Sequence, residues 1–352
     1  MPNPTLTAAI DALASGRDLD TEETAAVLAE IMQGDASEIQ IAGFLIALRT
    51  KGETVAELAG LARTMRQLAA HVLSDRADLL DTAGTGGGRS TFNVSTTAAL
   101  IAAGAGCAVA KHGNRSATSR SGSADLLEAL GARIDLGPEA VARCIDESGF
   151  GFMFAPAHHQ ATRFVVPVRH ELAVRTIFNL LGPLTNPAGA RRQLIGVADA
   201  TFLETMAGAL AQLGVDRALL VSSEDGLDEI SSAAPTAVVE VNGKELRSYV
   251  LEPQRAGVEP DGGELQAGGT PAENARLARA IIGGERTNGR PPAGEALAVI
   301  NAGGAIYAAG AVASIAEGVE AAREAIADGR AAAALEGYLA ASLANAPEAA
   351  AR

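Results

Sequence analysis

The stretch at residues 81–96 reads DTAGTGGGRSTFNVST and includes four glycines within five positions. It follows a short apolar run and precedes a helical pattern, so it predicts a glycine-rich turn from a strand into a helix. Glycine lets backbone N–H groups approach an anion closely, and the amino end of a helix favours negative charge. Asn93, Ser95 and Thr96 would add side-chain donors. The turn therefore predicts a bound phosphate or pyrophosphate, although tight α/β turns also use glycine for steric reasons alone.

Short apolar runs alternate with helical patterns around this turn. The runs lie at 79–81, 107–110, 150–154, 193–197 and 218–221. This alternation is typical of an α/β domain with a mainly parallel sheet flanked by helices. Asn242-Gly243 predicts a hairpin between 238–241 and 245–250. The alanine-rich tail predicts helices at 271–282, 293–309, 312–328 and 331–346.

The first 70 residues predict a small, all-helical domain. Three residue pairs match the capping-box spacing ahead of apolar stripes, namely Asp20 with Glu23, Ser37 with Gln40, and Thr54 with Glu57. The sequence thus predicts two domains, a helical domain over 1–70 and an α/β domain over 75–352.

Charge and cysteine content limit the partners and the compartment. The chain has 42 acidic and 28 basic side chains, a formal net charge of −14. This charge would repel the phosphates of a nucleic acid or an anionic membrane, so we expect neither partner. Cys107 and Cys144 show no short Cys/His spacing, which argues against a zinc site or a disulfide framework and fits a cytoplasmic location. No signal peptide or membrane span is expected.

Three further polar segments are candidates for chemistry. Residues 111–123 (KHGNRSATSRSGS) follow an apolar strand and predict a cationic loop that could hold phosphate beside the glycine turn. A solvated basic loop is the alternative, and His112 by itself fits a structural histidine equally well. Residues 222–230 (SSEDGLDEI) supply four carboxylates, which would suit Mg²⁺ together with substrate phosphates or form only a solvated turn.

The last segment, residues 167–187, predicts a helix that ends in a proline-locked turn. Arg169 and Arg175 are six residues apart, which on one helix places them about 120° apart, so we expect only one to face a given pocket. Such an arginine could pair with a carboxylate of a second substrate or form a surface ion pair.

These four segments, in this order, resemble the anthranilate phosphoribosyltransferase family, which has the nucleoside-phosphorylase-like phosphoribosyltransferase fold. The resemblance covers nearly the whole chain and is carried by 84–87, 93–96, 111–115, 182–187 and 228–229. It implies transfer of the 5-phosphoribosyl group from 5-phosphoribosyl-1-pyrophosphate to the amine of anthranilate, with release of pyrophosphate, in tryptophan biosynthesis. It also implies Mg²⁺, two ions per subunit, and a homodimer formed through the helical domain, to which part of 160–190 contributes.

The resemblance also implies roles for individual residues. The donor-binding positions are Gly84, Gly87, Gly88, Thr91, Asn93, Ser95, Thr96, Lys111, Ser119 and Ser123. The acceptor-binding positions are Gly84, Asn114 and Arg169, and the metal ligands are Ser95, Asp228 and Glu229. Lys111 and His112 would support the transition state. The family's glycine loop normally continues with an aspartate, whereas this chain has Gly88 followed by Arg89 and is one residue shorter before Asn93.

Two other functions remain open at this point. A pyrimidine-nucleoside phosphorylase shares the fold and a glycine loop but handles inorganic phosphate and a nucleoside. A non-catalytic nucleic-acid-binding relative should carry a broad basic surface, which the net charge of −14 argues against. We assign no general base, because an aromatic amine is already neutral at pH 7 and positioning should matter more.

Overall fold

Four helices form the amino-terminal domain in the computed structural model, which describes residues 1–116, 119–259 and 267–346. They are α1 (Pro4–Ala14), α2 (Thr21–Gln33), α3 (Glu38–Lys51) and α4 (Val55–Gln67). The capping boxes expected at the starts of α2 and α4 both form. At α3, Ser37 accepts from the Gln40 N–H at 3.3 Å, but the Gln40 side chain bonds the backbone of Asn3 instead. The box predicted there is therefore wrong, and Gln40 ties α3 to the start of α1.

The larger domain is built on a sheet of seven strands within the described ranges. These are β1 (Leu80–Gly84), β2 (Val109–Gly113), β3 (Phe150–Phe154), β4 (Arg192–Gly196), β5 (Arg217–Ser223), β6 (Thr236–Asn242) and β7 (Glu245–Leu251). Their order is β3-β2-β1-β4-β5-β6-β7, with β1 to β5 parallel and the β6–β7 hairpin antiparallel. The predicted fold class is confirmed, and the carboxyl ends of β1, β2, β4 and β5 lie together at one edge.

Helices cover both faces of this sheet. They are α5 (Val94–Gly104), α6 (Ser123–Leu130), α7 (Pro138–Ser148), α8 (Ala155–His158), α9 (Val166–Leu172), α10 (Phe178–Leu181), α11 (Leu203–Gln212), α12 (Pro271–Ile282), α13 (Glu295–Ala308), α14 (Ile315–Ala327) and α15 (Arg330–Ala344). Short 3₁₀ turns lie at 160–164, 182–184, 200–202 and 253–256. Helix α5 packs between the sheet and helices α13 and α15, which explains why both α5 and α13 are apolar on nearly every side. Among the described residues, no helix has the length and apolar character needed to cross a membrane.

The single helix predicted over 167–187 is wrong. Helix α9 ends at Leu172, because Ala173 adopts a left-handed conformation with φ 51°. The backbone carbonyl of Arg175 accepts a hydrogen bond from Arg49 on α3, and the Asn179 side chain accepts from the Thr176 N–H. These bonds replace those of a continuing helix, and they bring the segment against the helical domain.

Candidate active site

The glycine turn leaves the carboxyl end of β1 and runs directly over the acidic segment. Gly86 and Gly87 have φ values of 64° and 92°, a left-handed backbone that side chains with a Cβ rarely adopt. The Arg89 N–H donates to the Gly226 carbonyl at 2.7 Å, which joins the two loops. A Cβ on Gly88 would lie 2.5 Å from Asp228 Oδ1 and 2.8 Å from the Asp228 backbone nitrogen. Position 88 therefore faces the acidic segment and not solvent.

Lys111 and His112 lie within a strand and do not begin a loop. Strand β2 continues through Gly113, pairing Lys111 with Phe152 of β3, so both side chains are buried at the sheet edge. The ammonium group of Lys111 donates to the Thr82 carbonyl, and it lies 3.4 Å from Ser95 Oγ. Burial lowers the pKa of Lys111 to about 8, although the negative charges around it oppose this shift. The predicted loop begins three residues later than expected, after Gly113, because pairing with β3 extends an apolar strand into polar residues.

His112 is held as a neutral imidazole. Its Nδ1 lies 3.1 Å from the Gly182 carbonyl, so the proton belongs on Nδ1. Burial lowers its pKa to about 3, helped by the neighbouring ring of His159 at 5.1 Å. Nε2 of His112, of His158 and of His159 are all buried without a hydrogen-bond partner among the described residues. Burial lowers the pKa of all three imidazoles, so these rings are neutral near pH 7.

The four carboxylates of the acidic segment divide into two pairs. Asp225 accepts from the hydroxyls of Ser223 and Ser231 and so braces its own loop, while Glu224 is exposed. Asp228 and Glu229 face the interior. The nearby Gly86 N–H favours the charged form of Asp228, and the Ser95 N–H at the start of α5 favours the charged form of Glu229, so each opposes the rise in pKa that burial causes in the carboxyl it faces.

Electrostatics at this inner pair favour a cation. Burial and the charge of Asp228 raise the pKa of Glu229 to about 8, and burial also raises the pKa of Asp228. No group of three metal-ligating His, Cys, Asp or Glu side chains occurs in the described part of the chain. The described residues offer two carboxylates and the Ser95 hydroxyl here, and Mg²⁺ commonly takes one or two carboxylates with substrate phosphates completing its shell. The residues present fit such an ion.

The other expected donor contacts lie around the start of α5. Asn93 is already engaged, since its amide bonds Ser121 and Asn274 of α12. Thr96 presents a buried hydroxyl that has no partner among the described residues. Thr91 donates to the carbonyl of Phe92, whereas Ser119 donates to the carbonyl of Ser121. Ser123 begins α6 beside Gly113, and Gly84 closes β1 opposite Gly196 of β4.

Not all of the expected cations reach the cleft. Arg115 is held by Asp125 and Glu128 on α6, with distances of 2.8 and 2.5 Å, so it is not a free phosphate ligand. The cationic loop predicted over 111–123 therefore does not present Arg115 to a phosphate, and the prediction is wrong for this residue. Residues 117 and 118 of the predicted loop lie outside the described residues.

Arg169, the residue expected to bind the acceptor, lies on α9 beside Phe178 and Asn179. Its guanidinium stands 5.5 Å from the ring centre of Phe178, and Nη2 is 3.4 Å from Asn179 Oδ1. Its Nε is buried with no partner within the described ranges. Asn114 is exposed, and its side chain accepts from the Arg115 N–H at 2.7 Å.

Comparison with known proteins decides the family. The model described as "Glycosyl transferase family, a/b domain" matches residues 76–332, and "Glycosyl transferase family, helical bundle domain" matches residues 7–69. Anthranilate phosphoribosyltransferase from Rubrobacter xylanophilus is 50% identical over 327 residues, covering 93% of this chain and 94% of the relative. The chain belongs to the anthranilate phosphoribosyltransferase family. It is therefore an enzyme, and the resemblance identified from the sequence is confirmed.

Solved structures of family members have the same fold over the whole chain. The crystal structure of anthranilate phosphoribosyltransferase from Thermus thermophilus matches with a TM-score of 0.88 and 46% identity, over 95% of this chain and 99% of that one. The enzyme from Saccharomyces cerevisiae, solved in complex with PRPP and Mg, matches with a TM-score of 0.86 and 28% identity, over 97% and 98%.

Sequence reasoning missed several residues that position this family's site in the present chain. Asp81 accepts from the His112 N–H at 3.0 Å and from the Asn186 amide at 2.8 Å, all within the buried sheet edge. Asn301 of α13 bonds both backbone groups of Ile230, the residue that follows the acid pair. The sequence signal for Asp81 and Asn301 is a single polar side chain within an apolar run, which indicates a buried hydrogen-bonding role but no specific partner. Arg175, which the helical spacing set apart from Arg169, reaches Gly86 of the glycine loop.

Proposed function

We propose that this chain transfers the 5-phosphoribosyl group from 5-phosphoribosyl-1-pyrophosphate to the amine of anthranilate, releasing pyrophosphate in tryptophan biosynthesis. The observation that carries the proposal is the meeting of three features at one sheet edge. Buried Lys111, the glycine loop and the pair Asp228-Glu229 lie around one cleft. A cation, free backbone N–H groups and metal-binding oxygens are what a pyrophosphate ester requires.

The donor would bind between the glycine loop and the start of α5. Gly84, Gly87 and Gly88 supply close backbone approach, and Thr96 has a buried hydroxyl still without a partner in the described chain. Lys111 would lie beside the leaving group. We include the remaining donor positions in the same surface: Thr91, Asn93, Ser95, Ser119 and Ser123.

Mg²⁺ would be held by Ser95, Asp228 and Glu229 together with oxygens of the donor, and we propose two ions per subunit. When bound, the metal stabilises the charge that develops on the leaving pyrophosphate. The closeness of the two buried carboxylates supports this role, because a divalent cation would offset the repulsion between their charges.

The acceptor would bind against Gly84, Asn114 and Arg169. A guanidinium beside an aromatic ring, with a buried Nε lacking a partner in the described chain, suits the carboxylate of anthranilate. As the amine nitrogen bonds to C1 of the ribose, the C1–O bond breaks and its electron pair leaves with pyrophosphate. The amine then loses its proton to water. His112, neutral near pH 7, would contribute an acceptor lone pair along the cleft.

We also propose a cytoplasmic homodimer formed through the helical domain. Ile39 and Ile46 on α3 are 85% and 37% exposed, and Val174 of the adjoining segment is 43% exposed. These residues give the helical domain an outer apolar face of the kind that a subunit interface covers. The two cysteines are buried and unpaired, which is compatible with a reducing compartment.

The experiment measures loss of anthranilate fluorescence in the full-length protein. Activity that requires both 5-phosphoribosyl-1-pyrophosphate and Mg²⁺, and disappears in excess chelator, is the expected result. Full activity in chelator would remove the metal role. Phosphorolysis of thymidine or uridine, with no anthranilate consumption, would establish the phosphorylase alternative instead.

A further inference from the structure

Arg175 touches both domains of the molecule, although it belongs to neither a strand nor a helix. Its backbone carbonyl accepts from Arg49 Nη1 on α3 at 2.8 Å. Its own Nη2 donates to the Gly86 carbonyl at the tip of the glycine loop, at 2.7 Å. One residue therefore connects the helical domain to the loop that crosses the active site.

The tip of this loop depends on contacts from outside itself. Gly86 and Gly87 both have left-handed backbones, and two consecutive glycines lose much conformational freedom when they are ordered. On one side, the Arg89 N–H donates to the Gly226 carbonyl at 2.7 Å, and Gly88 lies so close to the acidic loop that a Cβ there would be 2.5 Å from Asp228 Oδ1. On the other side, the Arg175 guanidinium lies so close that a Cβ on Gly87 would be 2.8 Å from Nη2. The tip is thus held between the acidic loop and Arg175.

The segment that carries Arg175 is shaped for this contact. Ala173 has φ 51°, a left-handed conformation that is unfavourable for a residue with a Cβ. The Asn179 side chain then fixes the next turn through the Thr176 N–H, at 3.0 Å. A regular helix would have avoided this backbone strain, but it would have left the Arg175 carbonyl bonded within the helix and unavailable to Arg49.

The chemistry of the guanidinium matters as well as its position. Its positive charge lies near Asp228 and opposes the rise in pKa that burial causes there. Arginine offers several donors in a rigid plane, whereas lysine offers a single flexible point charge, so the two are not equivalent against a backbone carbonyl. A cavity of about 250 Å³ borders the side chain and is lined by Arg49, Thr85, Arg175 and Asn179 among others.

We propose that Arg175 is a positioning residue that holds the tip of the glycine loop against the acidic loop, and that Arg49 couples this contact to the helical domain. The functional consequence rests on the proposed role of the glycine loop in donor binding. Removing the guanidinium should free residues 85–89, so donor binding would then have to order them. The effect should fall on the KM for the donor more than on kcat, since Arg175 contacts neither substrate in the proposed site.

The first test measures hydrogen exchange of residues 85–89 in the full-length protein without substrates. We expect Arg175→Ala to accelerate exchange at these amides about tenfold, Arg175→Lys to have an intermediate effect, and Arg49→Ala to have a smaller one. Arg133→Ala is the matched control, because Arg133 is an exposed arginine whose side chain pairs only locally with Asp135. Unchanged exchange in Arg175→Ala would overturn the proposal.

The second test is kinetic and includes chemical rescue. In Arg175→Ala we expect the KM for 5-phosphoribosyl-1-pyrophosphate to rise about tenfold with kcat changed less than about threefold. Millimolar methylguanidine, entering by the adjoining cavity, should recover part of the loss. Equal losses in kcat and KM without rescue would overturn the positioning role. If the wild type consumes no anthranilate, the proposed function fails, while the exchange data still decide whether Arg175 holds the loop.

Discussion

Asn301 of α13 is the residue on which the placement of the acid pair depends most directly. Its Oδ1 accepts from the Ile230 N–H at 2.9 Å, and its Nδ2 donates to the Ile230 carbonyl at 2.8 Å. Nδ2 also donates to the carbonyl of Leu297, one turn earlier. Both Asn301 and Ile230 are fully buried. We therefore expect Asn301→Ala to destabilise the protein and to loosen Asp228-Glu229 at the same time.

The magnitude follows from the two backbone groups left without a partner. A buried donor or acceptor that loses its partner costs about 1–3 kcal/mol, so the N–H and carbonyl of Ile230 together predict a loss of about 2–6 kcal/mol. The bond to Leu297 adds little, because that carbonyl can still accept from the backbone of α13. Displaced carboxylates should also raise the magnesium concentration for half-maximal activity severalfold.

Asn345→Ala provides the matched control. Asn345 ends α15 and also donates to the carbonyl four residues earlier, at 3.0 Å, but its other partners are on the surface. Its loss should cost less than about 1 kcal/mol. Urea unfolding followed by circular dichroism gives the stabilities, and a magnesium titration of activity gives the second readout. Equal stability losses in the two variants would refute the argument that Asn301 supports the acidic loop.

Three further predictions follow from the site. Arg169→Ala should raise the KM for anthranilate about tenfold or more, and far above any change for the donor, because a charge-assisted pair is worth about 1.5–3 kcal/mol; equal effects on both would exclude an acceptor contact. The pKa of Glu229 is raised to about 8, so its carboxyl is protonated below that pH, and apparent Mg²⁺ affinity should fall up to about 50-fold from pH 8 to 6. Calorimetry should detect this fall together with proton release, and Glu229→Gln should abolish both. Gly88→Asn should weaken donor binding through its contact with Asp228, and Gly88→Asp should weaken it further by adding like charge; equal dissociation constants for the two variants would show that charge at position 88 is irrelevant.

Much of the fold could be predicted from local patterns because those patterns report burial. The runs at 150–154 and 193–197 alternate with helical segments, and they became β3 and β4 almost residue for residue. The predicted strand boundaries that were wrong are those where polar residues continue a strand. Lys111 and His112 are polar and so predict a loop. In the structure their backbone pairs with β3, and the Asp81 carboxylate accepts from the His112 N–H, so both residues lie inside the sheet edge. No local pattern contains those partners.

The prediction of one continuous helix over 167–187 was wrong for a related reason. Residues 167–187 have good helical spacing, and nothing nearby forbids a continuous helix before Pro183. Arg49, 126 positions away in the chain, donates a hydrogen bond to the carbonyl of Arg175, and the Asn179 side chain accepts one from the N–H of Thr176. Helical propensity contributes only tenths of a kcal/mol per residue, so a few tertiary hydrogen bonds suffice to override it. The same break turned Arg175 toward the glycine loop, which the helical-wheel argument had not anticipated.

Anion binding and steric necessity, the two explanations for the glycines in the turn, apply together. From the sequence alone, the glycines could either allow the backbone to approach an anion or be sterically required by a tight turn. In the structure, a Cβ on Gly88 would strike the Asp228 carboxylate, and a Cβ on Gly196 would overlap the Asp228 backbone carbonyl. Both glycines are therefore sterically required by the acidic loop. That close approach is also what places Asp228 and Glu229 beside the glycine loop and Lys111, so the steric requirement and the proposed phosphate chemistry have the same structural origin.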